Sequence, residues 1–395
     1  MNTIRRLLVA RALRGFADGA VAVLLPAHLL ALGFGQFQVG LLSSTTLAGS
    51  ALATLAVGAF GHRGSSGEWL RGAALLMAAT GAAFAGLSAY APLLLVAFIG
   101  TLNPSSGDVS LFLPLEHARL AASASGAART TLFARYSLAG ALSAALGALA
   151  AGVPGWIAVR TGVALDTGLR AAFAVYGAIG FVVWLLYRGI PPLAAAGAAP
   201  PAPLGPSRGI VLRLAALFGV DAFAGGLVVN ALLALWLFER FGLGLGEAGA
   251  FFFVTGLLSA GSQLAAPHVA RRIGLLRTMV WTHVPANACL ACASLAPSLP
   301  LALGLLFVRS ALSQMDVPTR TAFVMAAVTP PERTAAASFT AVPRSLAAAA
   351  SPALAGAWMA AGWLAAPMLA AGLLKIAYDL TLLGAFRGVP VRDRD

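Results

Sequence analysis

A chain of 395 residues with 59% hydrophobic residues, 10% charged residues and a mean hydropathy of +0.88 is far from a soluble domain, where charged residues are roughly 25%. Its 26 basic and 13 acidic residues leave a net charge of +13. The arginines fall mainly at the ends of apolar stretches, where they set membrane topology, and this argues against nucleic acid as a partner. The composition describes an all-α integral membrane protein whose solvent is the lipid bilayer.

About 20 mostly apolar residues are needed to cross a hydrocarbon core of roughly 30 Å. Twelve such stretches occur in chain order, at 7–32, 37–60, 69–89, 92–118, 129–153, 168–187, 210–238, 247–269, 278–296, 299–327, 336–359 and 363–386. Arg5-Arg6 ahead of an apolar run suggests a signal peptide, but Arg11, Arg14 and Asp18 interrupt that run and it continues to Leu32, so it reads as the first spanning helix. Connections bearing Arg63, Arg71, Arg119, Arg129, Arg188, Arg208, Arg271, Arg272, Arg277 and Arg333 lie on one side with both ends of the chain. By the enrichment of basic residues in short inner loops, both termini face the cytoplasm of a multi-pass protein in the inner or plasma membrane.

Between the sixth and seventh spans, residues 189–209 read GIPPLAAAGAAPPAPLGPSRG, whose prolines cannot continue a helix and favour extended backbone. This tether divides an N-terminal six-helix bundle, 1–188, from a C-terminal one, 210–395. Cys289 and Cys292 have CxxC spacing inside an apolar span and read as packing residues. There is no GxxxxGKS cradle and no His-Glu-x-x-His, and the five histidines are scattered. Neither an enzyme nor an ATP-driven pump is expected, and neither a cofactor nor a metal site.

Charge inside the spans is the informative signal, because a charged side chain at bilayer depth is costly unless it faces a protein interior or a wet cavity. The stretch VRSALSQMDVPTRTAFV, 308–324, carries Arg309, Asp316 and Arg320. Gly107-Asp108-Val109-Ser110 stands 208 positions ahead of Met315-Asp316-Val317-Pro318. Arg135-Tyr136-Ser137-Leu138-Ala139 similarly answers Pro343-Arg344-Ser345-Leu346-Ala347, Phe16-Ala17-Asp18 answers Gly219-Val220-Asp221, and the turn GFGQFQVG (33–40) answers GLGLGEAG (242–249). Four matches in one order point to two pseudo-symmetric six-helix halves in the same orientation.

Twelve spans as six plus six, both ends inside and a longer middle loop resemble the major facilitator superfamily over essentially the whole chain. The family's short basic loop appears as Gly58-Ala59-Phe60-Gly61-His62-Arg63 and again as Arg271-Arg272-Ile273-Gly274, with His62 and Arg271 where an acid is usual. The resemblance implies that helices 1, 4, 7 and 10 line a central cavity, and each carries one aspartate: Asp18, Asp108, Asp221 and Asp316. All four lie about ten or eleven residues from the cytoplasmic end of their spans, roughly 15–17 Å deep, and are the candidates for proton coupling.

Arg14, four residues before Asp18, and Arg320, four after Asp316, share helix faces with those carboxylates. Arg135, Arg309 and Arg344 are further counter-charges, and Asn103, Asn230 and Gln314 are candidate solute contacts. Lys375 and Asp379, also four apart, read as a local pair near the cytoplasmic side. The expected activity is secondary transport of a small organic solute by a monomer, with protons as coupling ion and export favoured. Uptake of an anionic metabolite at Arg309, Arg320 and Arg344, or a sensor that keeps the fold without the cycle, are the other readings.

Overall fold

Without water in the hydrocarbon core, a spanning segment has to satisfy its own backbone hydrogen bonds, which leaves helices or closed barrels. The computed structural model describes residues 2–60, 65–105, 111–123, 126–191, 204–329 and 332–387, and every regular element among them is helical. Asp108 with its neighbours 106–110, the Gly61-His62-Arg63 part of the first basic loop, the linker stretch 192–203 and Pro330-Pro331 lie outside the described residues.

In the first half α1 (Thr3–Ala31), α2 (Gln36–Phe60) and α3 (Ser66–Gly86) follow the first three expected spans. The fourth is divided into α4 (Tyr90–Ile99) and α5 (Phe112–Ser123), and the fifth is α6 (Gly126–Ala150). A short α7 (Val153–Thr161) precedes the sixth span, α8 (Leu165–Arg188). In the second half the seventh span is divided into α9 (Arg208–Gly226) and α10 (Asn230–Phe241), followed by α11 (Leu245–Ile273) and α12 (Leu275–Ser294). The tenth is again divided, into α13 (Leu299–Ser313) and α14 (Asp316–Ala327), before α15 (Arg333–Ala360) and α16 (Ala366–Phe386).

Six segments among the described residues are long and apolar enough to cross a membrane by length and composition alone: 36–58, 131–161, 165–188, 208–241, 245–273 and 366–386. Charge, polar residues and helix breaks set the other spans apart from these. The outward surfaces of the spans are apolar, with Leu95 on α4 60% and Leu264 on α11 63% exposed, as a lipid solvent permits.

Packing separates the chain into two compact units, residues 1–197 with 229–256, and residues 198–228 with 257–395. In the first, α1 packs on α6 and α3 on α8; in the second, α9 packs on α15 and α12 on α16. These are the same span pairs, first with fifth and third with sixth, repeated in each half. The repeated turns also match in backbone, since Gly33 and Gly242 adopt φ of 86° and 68°, the left-handed region that favours glycine. Pro26, Pro267, Pro285, Pro343 and Pro352 lie inside helices, where membrane helices tolerate them.

Candidate functional site

In the first unit the buried charge forms a closed knot. Arg14 on α1 gives a guanidinium nitrogen to Glu116 on α5, and the ring of Phe112, one turn earlier on α5, lies 4.1 Å from that guanidinium. Glu116 is fully buried and also accepts from the Tyr136 hydroxyl on α6 and, at 2.7 Å, from the Tyr187 hydroxyl on α8. A buried carboxylate needs this much company, because leaving its oxygens unpaired costs far more than any single hydrogen bond returns.

Asp18 lies one turn along α1 from Arg14, beside the break in the fourth span. It borders a cavity of about 20 Å³, room for a single water, together with Ser50, Thr101, Asn103 and Tyr176. The unwound segment after α4 satisfies itself locally. Asn103 Oδ1 accepts from Ser105 N at 3.2 Å and Ser105 Oγ at 2.8 Å, and the Tyr176 hydroxyl donates to the Thr101 carbonyl at 3.0 Å. Asn103 is also a hydrogen-bond partner of Asp18. A carboxylate beside an interrupted helix is an arrangement suited to handling small cations or protons.

In the second unit Asp221 on α9, 3% exposed, accepts from Lys375 Nζ on α16 and lies 3.2 Å from Arg320 Nη2 on α14. Arg320 also pairs with Asp316, the first residue of α14, and its guanidinium lies 5.4 Å from the ring centroid of Phe218. Nearby, His283 Nδ1 lies 3.0 Å from both carboxylate oxygens of Asp379, which accepts further from Asn287 Nδ2 at 3.4 Å. The cations Arg309, Arg320, Arg344 and Lys375 thus outnumber the anions Asp221, Asp316 and Asp379. The Nε atoms of Arg309, Arg320 and Arg344, Arg320 Nη1, Tyr378 Oη and Ser351 Oγ are buried with no hydrogen-bond partner among the described residues. This unit is rich in donors and poor in acceptors.

Several expected residues have other surroundings than their spacing suggested. Arg14 is joined to Glu116, not only to its neighbour Asp18. Lys375 and Asp379 do not form the local pair expected of them: Lys375 reaches across to Asp221, and Asp379 turns to His283. Arg135 is exposed on α6, and its chain neighbour Tyr136 is the residue that turns inward. Gln314 caps α13 and accepts from Gln263 Nε2 at 3.2 Å. Asn230 opens α10, where the next residue's amide, Ala231 N, donates to the Pro104 carbonyl at 3.0 Å and ties α10 to the break in the fourth span. Tyr136, Tyr187, His283 and Asn287 were missed. The four-residue spacing of His283 and Asn287 in an apolar helix was the available sign that both share one face.

The description Major Facilitator Superfamily matches residues 7–310 of the chain. An uncharacterized membrane protein of Saccharomyces cerevisiae is 24% identical over 417 residues, covering 96% of this chain and 93% of its own length. Among solved structures, a bacterial homolog of the human lysosomal transporter Spinster has a TM-score of 0.77 at 14% identity, covering 99% of this chain and 97% of its own. The nucleoside transporter NupG has a TM-score of 0.75 at 14% identity over 98% and 100%. The D-xylose-proton symporter has 0.74 at 15% identity over 99% of each chain.

Proposed function

Since this chain belongs to the Major Facilitator Superfamily and has the fold of its alternating-access transporters, we propose that it is a proton-coupled exporter of a small organic solute. The observation that carries the coupling is the placement of Asp221 and Asp316 in divided spans and of Asp18 beside the break in the fourth, each with a basic or polar partner it can exchange. Burial favours the neutral form of such a carboxylate and a neighbouring guanidinium the charged form. A group held between the two can take up a proton when its partner moves away, which links protonation to rearrangement. Asp108 completes the set by its place in the repeat. Export follows from the apolar character of the spans, which suits amphipathic compounds. The arginine-rich connections support a topology with both termini in the cytoplasm, in the inner or plasma membrane. The working unit is a monomer of two six-helix bundles, 1–188 and 210–395, joined by the 189–209 tether.

Flux in proteoliposomes under an imposed pH gradient tests this reading. Export requires solute moving against inward protons, whereas co-movement would show uptake, and no flux would leave a sensor that keeps the fold without the cycle. Asp316→Asn is expected to abolish coupled flux while leaving solute exchange, and unchanged coupling in that variant would remove Asp316 from the mechanism.

One observation favours a second reading, uptake of a small anionic metabolite. Arg309 and Arg344 carry buried guanidinium nitrogens without acceptors, in a unit whose cations already outnumber its carboxylates. A carboxylate or phosphate on the solute would supply what is missing. Under this reading Arg309→Gln and Arg344→Gln weaken exchange of anionic solutes and spare neutral ones.

A further inference from the structure

A pocket in the first unit, separate from the residues above, has the composition of an anion site. It has a volume of about 300 Å³ and is lined by Ser65, Gly67, Arg71, Arg188, Gly189 and Pro191 among others, where the amino end of α3 meets the carboxyl end of α8. We propose that it binds a phosphate-ester anion, either the head group of an anionic lipid or a soluble organic phosphate.

Two independent features point to a ligand. The first is the start of α3, a helix of 21 residues. Ser65 and Glu68 form a capping box that occupies the Glu68 and Ser65 amides, at 3.3 and 2.8 Å. The Ser66 and Gly67 N–H groups precede the first intrahelical bond, at the positive end of the helix dipole. The Ser66 hydroxyl is also buried there, without a partner among the described residues. The second is Arg119 on α5, only 4% exposed. Its Nη1 donates to the Pro191 carbonyl at 2.8 Å, while Nε and Nη2 are buried with no acceptor among the described residues. Nη2 is directed at the pocket wall, since a Cβ placed on Gly67 would lie 3.1 Å from it.

The charge around the pocket is one-sided. Arg71 and Arg119 repel each other, Arg188 is exposed over the ring of Trp184, and the Arg6 guanidinium rests against Gly189. Part of this cationic set closes α8, because Arg6 donates to the Leu186 carbonyl at 3.2 Å and Arg119 to Pro191. That role uses one nitrogen of each and leaves Arg71 and two nitrogens of Arg119 unexplained. Glu68, the acid in this first turn, is exposed and its carboxylate is turned back onto the Ser65 amide. Forked guanidiniums and helix-terminal N–H groups together match the several oxygens of a phosphate better than those of a carboxylate. The position at the ends of spanning helices is also where lipid head groups reside.

The test uses the full-length protein, purified in neutral detergent and also reconstituted in phosphatidylcholine nanodiscs with or without phosphatidylglycerol. Calorimetric titration with inorganic phosphate and glycerol 3-phosphate reads the soluble source, and native mass spectrometry of retained phosphatidylglycerol reads the lipid source. Arg71→Gln and Arg119→Gln are expected to weaken whichever probe binds by about tenfold or more, the effect of losing a charge-assisted hydrogen bond. Arg160→Gln, on exposed α7, leaves binding unchanged. Arg71 is only half-buried, so Arg71→Gln keeps the test valid should Arg119→Gln fail to fold. Binding of the soluble probes alone assigns the site to an organic phosphate, and retention of phosphatidylglycerol alone assigns it to lipid. Absence of both, or binding that is insensitive to Arg71→Gln, overturns the proposal.

Discussion

Replacing Asp221 by asparagine strands a buried cation, Lys375 Nζ, and takes from Arg320, whose Nη2 lies 3.2 Å away, one of its two carboxylates. Breaking a buried pair from one side costs about 3–5 kcal/mol, most of it the burden of the uncompensated charge. The substitution also widens the cation excess of the second unit, so Asp221→Asn belongs at the upper end of that range. Lys375→Met differs, because Asp221 keeps Arg320 and the loss brings cations and carboxylates into balance. Its cost should lie at or below about 3 kcal/mol. In the double variant no charge is stranded between α9 and α16, and stability should return to within roughly 1–2 kcal/mol of the parent, giving a coupling energy of about 3 kcal/mol or more. Unfolding of the purified proteins in mixed micelles of rising denaturing-detergent fraction, followed by circular dichroism, measures all four corners. Additive effects, with coupling below about 0.5 kcal/mol, would show that the two side chains do not share a buried pair and would refute the reasoning.

Three other outcomes follow from the same geometry. A methyl group on Gly19 would lie 1.9 Å from the Ala144 carbonyl oxygen, so Gly19→Ala forces α1 from α6 and should destabilise by about 1–3 kcal/mol in the same unfolding assay. Glu332, in the turn before α15, is held to a pKa of about 2 by the Ser207 and Thr329 hydroxyls, with the Gly205 and Ser207 amides adding to the effect. A depressed carboxyl contributes stability above its unfolded value of 4.5 and loses it as pH falls toward about 2. The end of the linker should therefore resist proteolysis at neutral pH, become sensitive below that window, and be sensitive at neutral pH in Glu332→Gln; equal cleavage of both proteins at neutral pH would exclude the clasp. Asp18→Asn should lose proton-driven flux yet retain solute exchange, and proton-driven flux at parental rate would remove Asp18 from coupling.

Span number and order were legible because apolar length is a direct consequence of bilayer thickness. The breaks inside the fourth, seventh and tenth spans were not, since Leu227 to Val229 and Gln314 to Met315 are as apolar or as ordinary as the helix on either side. Within the buried clusters, spacing along one helix found Asp316 with Arg320 but gave the wrong partner for Lys375. Partners on other helices, such as Glu116 for Arg14 or Asp221 for Lys375, depend on which faces meet, and a single sequence carries that only through the fold. The tyrosines at Glu116 escaped notice because an aromatic residue in a membrane helix reads as packing until a carboxylate is placed beside its hydroxyl.

The two halves preserve one contact while exchanging its members. In the first unit the guanidinium of Arg14, on the first span, lies over Phe112 on the fourth; in the second the guanidinium of Arg320, on the tenth span, lies over Phe218 on the seventh. Arg320 stands 208 positions after Phe112, the offset of the Asp-Val repeat, and Phe218 falls within one position of the place that answers Arg14. Duplication therefore kept a buried cation-on-ring contact and moved the charge to the opposite helix. The consequence differs between the units. Arg14 is bonded to Glu116, one turn beyond Phe112 on α5 and fixed by two tyrosines, so this pairing cannot readily change. Arg320 meets two carboxylates, Asp221 on α9 and Asp316 on its own α14, so a shift of α14 against α9 alters its coordination without leaving it bare. Exchange of ionic partners, on which the proposed coupling depends, is for that reason better suited to the second unit than to the first.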